Sequence, residues 1–134
     1  MTSIRDIEGL EPKYASMLAE NGVRTTEQLL ELADTSAKRF RLADQTNIGE
    51  DQILGWVHQA DLLRVHGISK EFAALLVRAG VVTVPKLAYR SAAHLYEDLV
   101  ACNDTHHIVH RVPSAQKLEQ MIATAKQLPK LIHH

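Results

Sequence analysis

The segment Gly67-Ile68-Ser69-Lys70 carries the side chains and spacing best suited to chemistry in this chain, and that chemistry is the holding of a phosphate. A glycine lets the backbone turn tightly. A helix that starts just after it presents free N–H groups and the positive end of its dipole. Ser69 adds a hydroxyl, Lys70 a cation, and Arg64 a second cation just upstream. An earlier glycine turn, Gly9-Leu10-Glu11, is a poor counterpart, because Glu11 sets a carboxylate where a phosphate would dock. Like charges at contact range repel, and Asp6 and Glu8 worsen the field there. The densest basic run, Lys38-Arg39-Phe40-Arg41, is a second place for nucleic acid or an acidic partner. On a helix, Phe40 is expected to point inward with Ala37 while Lys38, Arg39 and Arg41 face water. The alternative for both glycine turns is purely architectural: they bend the chain so that two helices pack.

A cluster of Cys102, Asp104, His106, His107 and His110 has ligand types that suit zinc or another transition metal. Neither Cys-x-x-Cys nor His-Glu-x-x-His accompanies them, so a polar, histidine-rich loop without a metal or other cofactor is expected. Histidine titrates near neutral pH, so mild acid would add positive charge to this half. The chain has no phosphate-binding G-x-x-x-x-G-K-[ST], no G-x-G-x-x-G opening a helix after a strand, and no G-x-S-x-G. A catalytic role is not expected. Trp56 lies in a helical apolar stripe and is expected in the core rather than stacked on a base.

The elements that must position these residues follow from a repeat. Residues 7–25 return 58 residues later at 65–83, with Gly9/Gly67, Ala15/Ala73, Leu18/Leu76, Gly22/Gly80, Val23/Val81 and Thr25/Thr83 identical. A repeat is one supersecondary unit used twice. Pro12 suits the first turn of a helix and Gly22 its left-handed end. Thr25 or Thr26 caps the next helix, Ser36 one that runs to about Asp44, and Asn47-Ile48-Gly49 forms a turn. Helical spacing of Ile53, Trp56, Val57, Ala60 and Leu63 predicts a helix over 50–64. The second half repeats the order, with Phe72, Ala73, Leu76 and Ala79 on one helix. Thr83 and Pro85 open a short one, and Ala92, Leu95, Tyr96, Leu99 and Val100 line another. A longer loop is expected over 103–113, then a helix capped by Ser114 that reaches Leu128. No alternating strand pair is seen, so the fold is all-α, in one domain over 1–134, with units over about 4–64 and 65–130 sharing a core. Gly9 has too few residues before it for a partner helix, which raises the hypothesis that the first turn takes its partner from the helix that starts at Ser114, within the chain or from a neighbouring one.

With 134 residues the chain is long enough to bury a core. At 4% aromatic, that core must be built of Leu, Ile, Val and Ala. The net charge of −1 disfavours a general polyanion binder. It hides an asymmetry: residues 1–64 hold 7 Lys/Arg against 11 Asp/Glu, and residues 65–134 hold 8 against 5. The single cysteine excludes an intrachain disulfide and, with no apolar signal or membrane span in the sequence, points to the cytoplasm.

The pattern around Gly9 and Gly67 resembles a helix-hairpin-helix motif. The phrase from Lys38 to Val65, with Leu42-Ala43, Thr46-Asn47-Ile48, Trp56-Val57 and Ala60-Asp61-Leu62-Leu63-Arg64, and the Arg111-Val112-Pro113-Ser114 turn extend that resemblance. Together they resemble an uncharacterised bacterial family, labelled a domain of unknown function and built of paired helix-hairpin-helix units. The resemblance implies duplicated hairpin units in one compact helical domain. Related hairpins grip nucleic-acid backbone weakly and without reading sequence, which here implicates Gly67, Ser69, Lys70 and Arg64. They usually carry a second glycine two positions after the first, where this chain has Glu11 and Ser69. A protein-interaction or scaffolding domain is the competing function. The stretch Leu42-Ala43…Asn47-Ile48…Ile53…Trp56 has helix-turn-helix spacing, but Glu50-Asp51-Gln52 would lead its second helix into a groove walled by phosphate, so a packed corner is expected.

Overall fold

A computed structural model describes residues 2–134. Among these residues there are eight α-helices and one short 3-10 helix, and no strand beyond an isolated antiparallel bridge between Ser3 and Thr25. The chain forms two compact units. One comprises residues up to Asp61 together with Leu131–His134, and the other comprises Leu62–Lys130.

In the first unit a 3-10 turn, Ile4–Asp6, is capped by the Ser3 hydroxyl, which accepts from the Arg5 N–H. The extended residues around it pair with the loop before the second helix: Ile4 N–H donates to Arg24 O at 3.1 Å and Thr26 N–H to Thr2 O at 2.8 Å. Gly9 then turns the chain at φ +84. Helix α1, Pro12–Glu20, has Pro at its start, where a missing N–H costs nothing. It stops at Gly22, φ +86, and Val23 N–H closes back on Leu18 O at 2.9 Å. Helix α2, Thr26–Leu32, is capped by Thr25, and α3, Ser36–Thr46, by Thr35. Thr35, not Ser36, is the cap because its hydroxyl reaches the Lys38 N–H three residues on. Asn47 in the left-handed region ends α3, and α4, Glu50–Leu62, follows. Leu18, Val23, Leu29, Ile53 and Val57 are fully buried, each worth roughly 1.5–3 kcal/mol. The Tyr14 ring lies tilted on Trp56 with centroids 5.4 Å apart.

The second unit turns at Gly67, φ +94. Helix α5, Lys70–Arg78, is capped by Ser69 and stopped by Gly80, φ +91, with Val81 N–H on Leu76 O at 2.8 Å. Helix α6, Val84–Ala88, is capped by Thr83, and α7 spans Ala92–His106. Helix α8, Ala115–Lys126, is capped by Ser114 and packs on α6 and α7, while α5 packs on α7. Leu62, Leu75, Leu76, Leu95, Leu99 and Leu118 anchor its core.

Three expectations need correction. The loop expected from residue 103 begins only after His106, because Asn103 sits inside α7 and its side chain ties down the chain beyond it. Asn103 Oδ1 accepts the N–H groups of Ile108 and Val109 at 2.9 Å, and its Nδ2 donates to Val109 O. The basic run on α3 is also inverted. Arg39 is buried at 5% exposure with Leu42 and Thr46, while Phe40 is 63% exposed and Ala37 is exposed. Finally, α8 uses its apolar face within its own unit, and the Gly9 turn is braced by α4. Gln59 accepts from the Glu8 N–H at 3.1 Å and donates to Glu8 O at 2.9 Å.

The pairing of the first residues with α2 is pH-sensitive. Burial pushes the Glu27 carboxyl up, but the N–H groups of Glu27 and Thr2 and the Thr26 hydroxyl outweigh it, so its pKa falls below the ordinary 4.5. A lowered carboxyl pKa stabilises the fold above the unfolded value and loses that stabilisation as pH falls through the folded one. Amide exchange at Thr26 should therefore quicken in acid below the carboxyl range. Glu27→Gln should abolish that pH dependence; an unchanged profile in the variant would remove Glu27 from the account.

Candidate nucleic-acid interface

The Gly67 turn opens onto a groove of about 520 Å3. One wall is Gly67, Ser69, Glu71 and Phe72, and the other includes Val109, His110 and Arg111. The turn follows from its residues. Ile68 N–H bonds back to Val65 O at 3.2 Å, Gly67 takes the left-handed conformation, and Ile68 is buried as the anchor. A side chain at Gly67 would strain the backbone and meet Met121 Cε at 3.8 Å.

Ser69 begins α5 and its Oγ accepts from Phe72 N–H at 3.1 Å. The Lys70 and Glu71 amides, in the first turn, have no acceptor within the helix. They and the helix dipole give this end of the groove a positive field, joined by the exposed Arg111 across it. Glu71 opposes that field. The arrangement can receive one anionic oxygen cluster, loosely.

Of the residues singled out in the sequence, Gly67 and Ser69 share this groove and Lys70 is exposed next to it in the chain. Arg64 is half-buried, and its guanidinium donates to Pro129 O at 2.7 Å, tying the turn to the segment after α8. Lys38, Arg39 and Arg41 belong to the other unit. Lys38 pairs with Asp34 at 3.0 Å and donates to Glu31 O, and Arg39 faces the interior. Arg41 is exposed and lines a small groove of about 100 Å3 with Leu32 and Gln45. The sequence places His110 and Arg111 in a loop and does not by itself join them to Gly67. The signal was Arg111-Val112-Pro113, where Val112 is buried and so fixes its neighbour at the surface.

The Cys102–His110 cluster is dispersed. Cys102, Asp104 and His106 lie on α7, His107 is its left-handed cap, and His110 is in the groove. Among the described residues no group of three His, Cys, Asp or Glu could hold a metal ion. Among them, too, no helix is long and apolar enough to cross a membrane. Charge divides by unit: residues 62–130 hold nine Lys/Arg against five Asp/Glu, and the remainder six against eleven.

A family model described as "Domain of unknown function (DUF4332)" matches residues 8–128. No curated protein and no solved structure matches the chain.

Proposed function

The chain belongs to that family, whose description carries no activity, and from the geometry we propose a non-enzymatic module of two helix-hairpin-helix units. Its second unit binds nucleic-acid backbone weakly and without reading sequence. The duplication is supported by matching local structure. Ile7 N–H to Ile4 O and Leu10 N–H to Ile7 O recur as Val65 N–H to Leu62 O and Ile68 N–H to Val65 O. The bond from Val23 to Leu18 recurs from Val81 to Leu76, and all four turn glycines take positive φ.

The observation that carries the binding reading is the groove at Gly67, where the start of α5 faces Arg111 in the unit with the cationic surplus. Phosphate would meet amides and a guanidinium there, and backbone contacts of that kind carry no sequence information, so affinity without sequence readout follows. Glu71 keeps that affinity low. The first turn lacks this capacity: Glu11 stands at the start of α1, and its carboxylate is exposed beside Lys13.

A salt titration with labelled duplex and single strand tests the reading. With one or two phosphates contacted, log affinity should fall against log salt with a slope of about −1 to −2. Arg111→Glu should weaken binding by roughly tenfold or more, about 1.4 kcal/mol, and Glu71→Gln should strengthen it. Absence of binding to both strands at low salt ends the proposal. The first unit, with eleven acids against six bases and an exposed Phe40, favours the second reading, a protein-interaction module. That binding would survive salt.

A further inference from the structure

The Gly67 groove is not lined for phosphate alone. Its polar lining is Ser69, Glu71, His110 and Arg111, but Ile108, Val109 and Pro113 line it as well and are only half-buried. Ile108 and Val109 pack in part on the core of the second unit, and the rest of each side chain opens into the groove. This apolar wall is fixed before anything binds. Asn103 Oδ1 accepts the N–H groups of Ile108 and Val109 at 2.9 Å, and Asn103 Nδ2 donates to Val109 O. The backbone of the loop is satisfied by Asn103, so its side chains are what it offers to a ligand. A wall already in place needs no ordering when the ligand arrives.

At about 520 Å3 the groove falls within the range of small-ligand sites, roughly 300–1,000 Å3. A lone phosphate at the start of α5 would leave the apolar wall in water. A phosphate that carries a flat apolar group beside it would cover both. A duplex cannot do so, because its bases are stacked inside and it turns phosphate and sugar outward. It also carries one charge per about 1.7 Å of axis, which forces neighbouring phosphates toward the Glu71 carboxylate. A single strand can turn one base out of its stack and lay it on the wall where a second phosphate would otherwise stand. Every base has an apolar face, so this contact reads no sequence.

We propose that the occupant of this groove is single-stranded nucleic acid. One phosphate lies at the start of α5 and Arg111, and an adjoining base lies on Ile108, Val109 and Pro113. This assignment rests on the phosphate reading of the Gly67 turn and adds to it the class of strand.

The test uses the full chain at low salt and fluorescein-labelled strands of about twelve nucleotides, followed by anisotropy. A thymidine strand should bind at least roughly fivefold more tightly than a duplex of the same length. An abasic strand should lose that advantage but keep the salt slope of the thymidine strand, since the slope counts phosphates. Ile108→Ser combined with Val109→Ser should bring the thymidine strand down to the abasic level and leave the abasic strand as it was. The bonds to Asn103 use the loop backbone and survive that change. Tyr89, 90% exposed, is another place where a base could stack, and Tyr89→Ser should leave the preference intact. Equal affinity for thymidine and abasic strands overturns the proposal whatever the variants do. So does a duplex bound as tightly as the single strand. A preference that persists in the Ile108 and Val109 variant with its helical signal intact, or one that falls with Tyr89→Ser, overturns it too. Absence of binding to every strand removes the phosphate reading as well, so the two failures are told apart.

Discussion

Replacing Arg39 by methionine should lower the unfolding free energy by about 2–4 kcal/mol, although arginine is a residue usually assigned to the surface. Methionine keeps most of the volume but donates nothing. Ala33 O and His133 O each lose a charge-assisted hydrogen bond, and a buried carbonyl left unpaired costs about 1–3 kcal/mol. Relief of the guanidinium's desolvation offsets part of that sum. Burial pulls the Arg39 pKa below its ordinary value, and the Asp34 and Glu50 carboxylates oppose that shift only in part. Arg39→Lys should recover little, because an ammonium cannot span two carbonyls as a planar fork does. Arg41→Met, two residues on and exposed, should change stability by less than about 0.5 kcal/mol. Denaturant midpoints read the difference. Trypsin cleavage after Lys130, quickened in the Arg39 variants alone, locates it at the terminal segment. Equal midpoints for the Arg39 and Arg41 variants would show that the guanidinium is not a clamp.

The all-helical fold and most element boundaries were legible because their signals are local. Thr25, Thr83 and Ser114 cap through hydroxyls at fixed offsets, and Gly22 and Gly80 end helices in a conformation that side chains resist. Where a side chain's partner is remote in sequence, the reading failed. Arg39 is buried because His133 O, 94 residues away, accepts from it, and a helical wheel of α3 holds no trace of that acceptor. Phe40 is exposed for the same reason, since burying residue 39 turns residue 40 outward. Asn103 extends α7 past its expected end because its amide finds Val109 across the loop. The groove was half legible. Gly67 and Ser69 announce a turn and a helix start, but Arg111 reaches them only through the fold of its loop, which the buried Val112 anchors.

Leu76→Ala should cost about 2–5 kcal/mol and lower the melting temperature by roughly 10 °C. Leu76 is fully buried in the core of the second unit, in a cluster that includes Phe72, Leu95, Leu99 and Leu118. Deleting its branched end removes the transfer free energy of three heavy atoms and leaves a cavity that rigid helices refill poorly. Its carbonyl also accepts the Val81 N–H that closes α5, so a shift of the backbone toward the cavity would loosen the Gly80 turn as well. Gly80→Ala separates the two effects. It touches nothing within 4 Å but forces a side chain onto φ +91, which costs about 1–2 kcal/mol by strain alone. If the turn and the cavity are coupled, the double variant should lose a different amount from the sum of the single losses. Ellipticity at helical wavelengths during thermal melting gives all three values. The same alanine at Leu32, which is 42% exposed, should lose less than about 1 kcal/mol. A Leu76 variant no weaker than the Leu32 variant would mean that the leucines of this unit do not form the packed interior on which the groove at Gly67 is built.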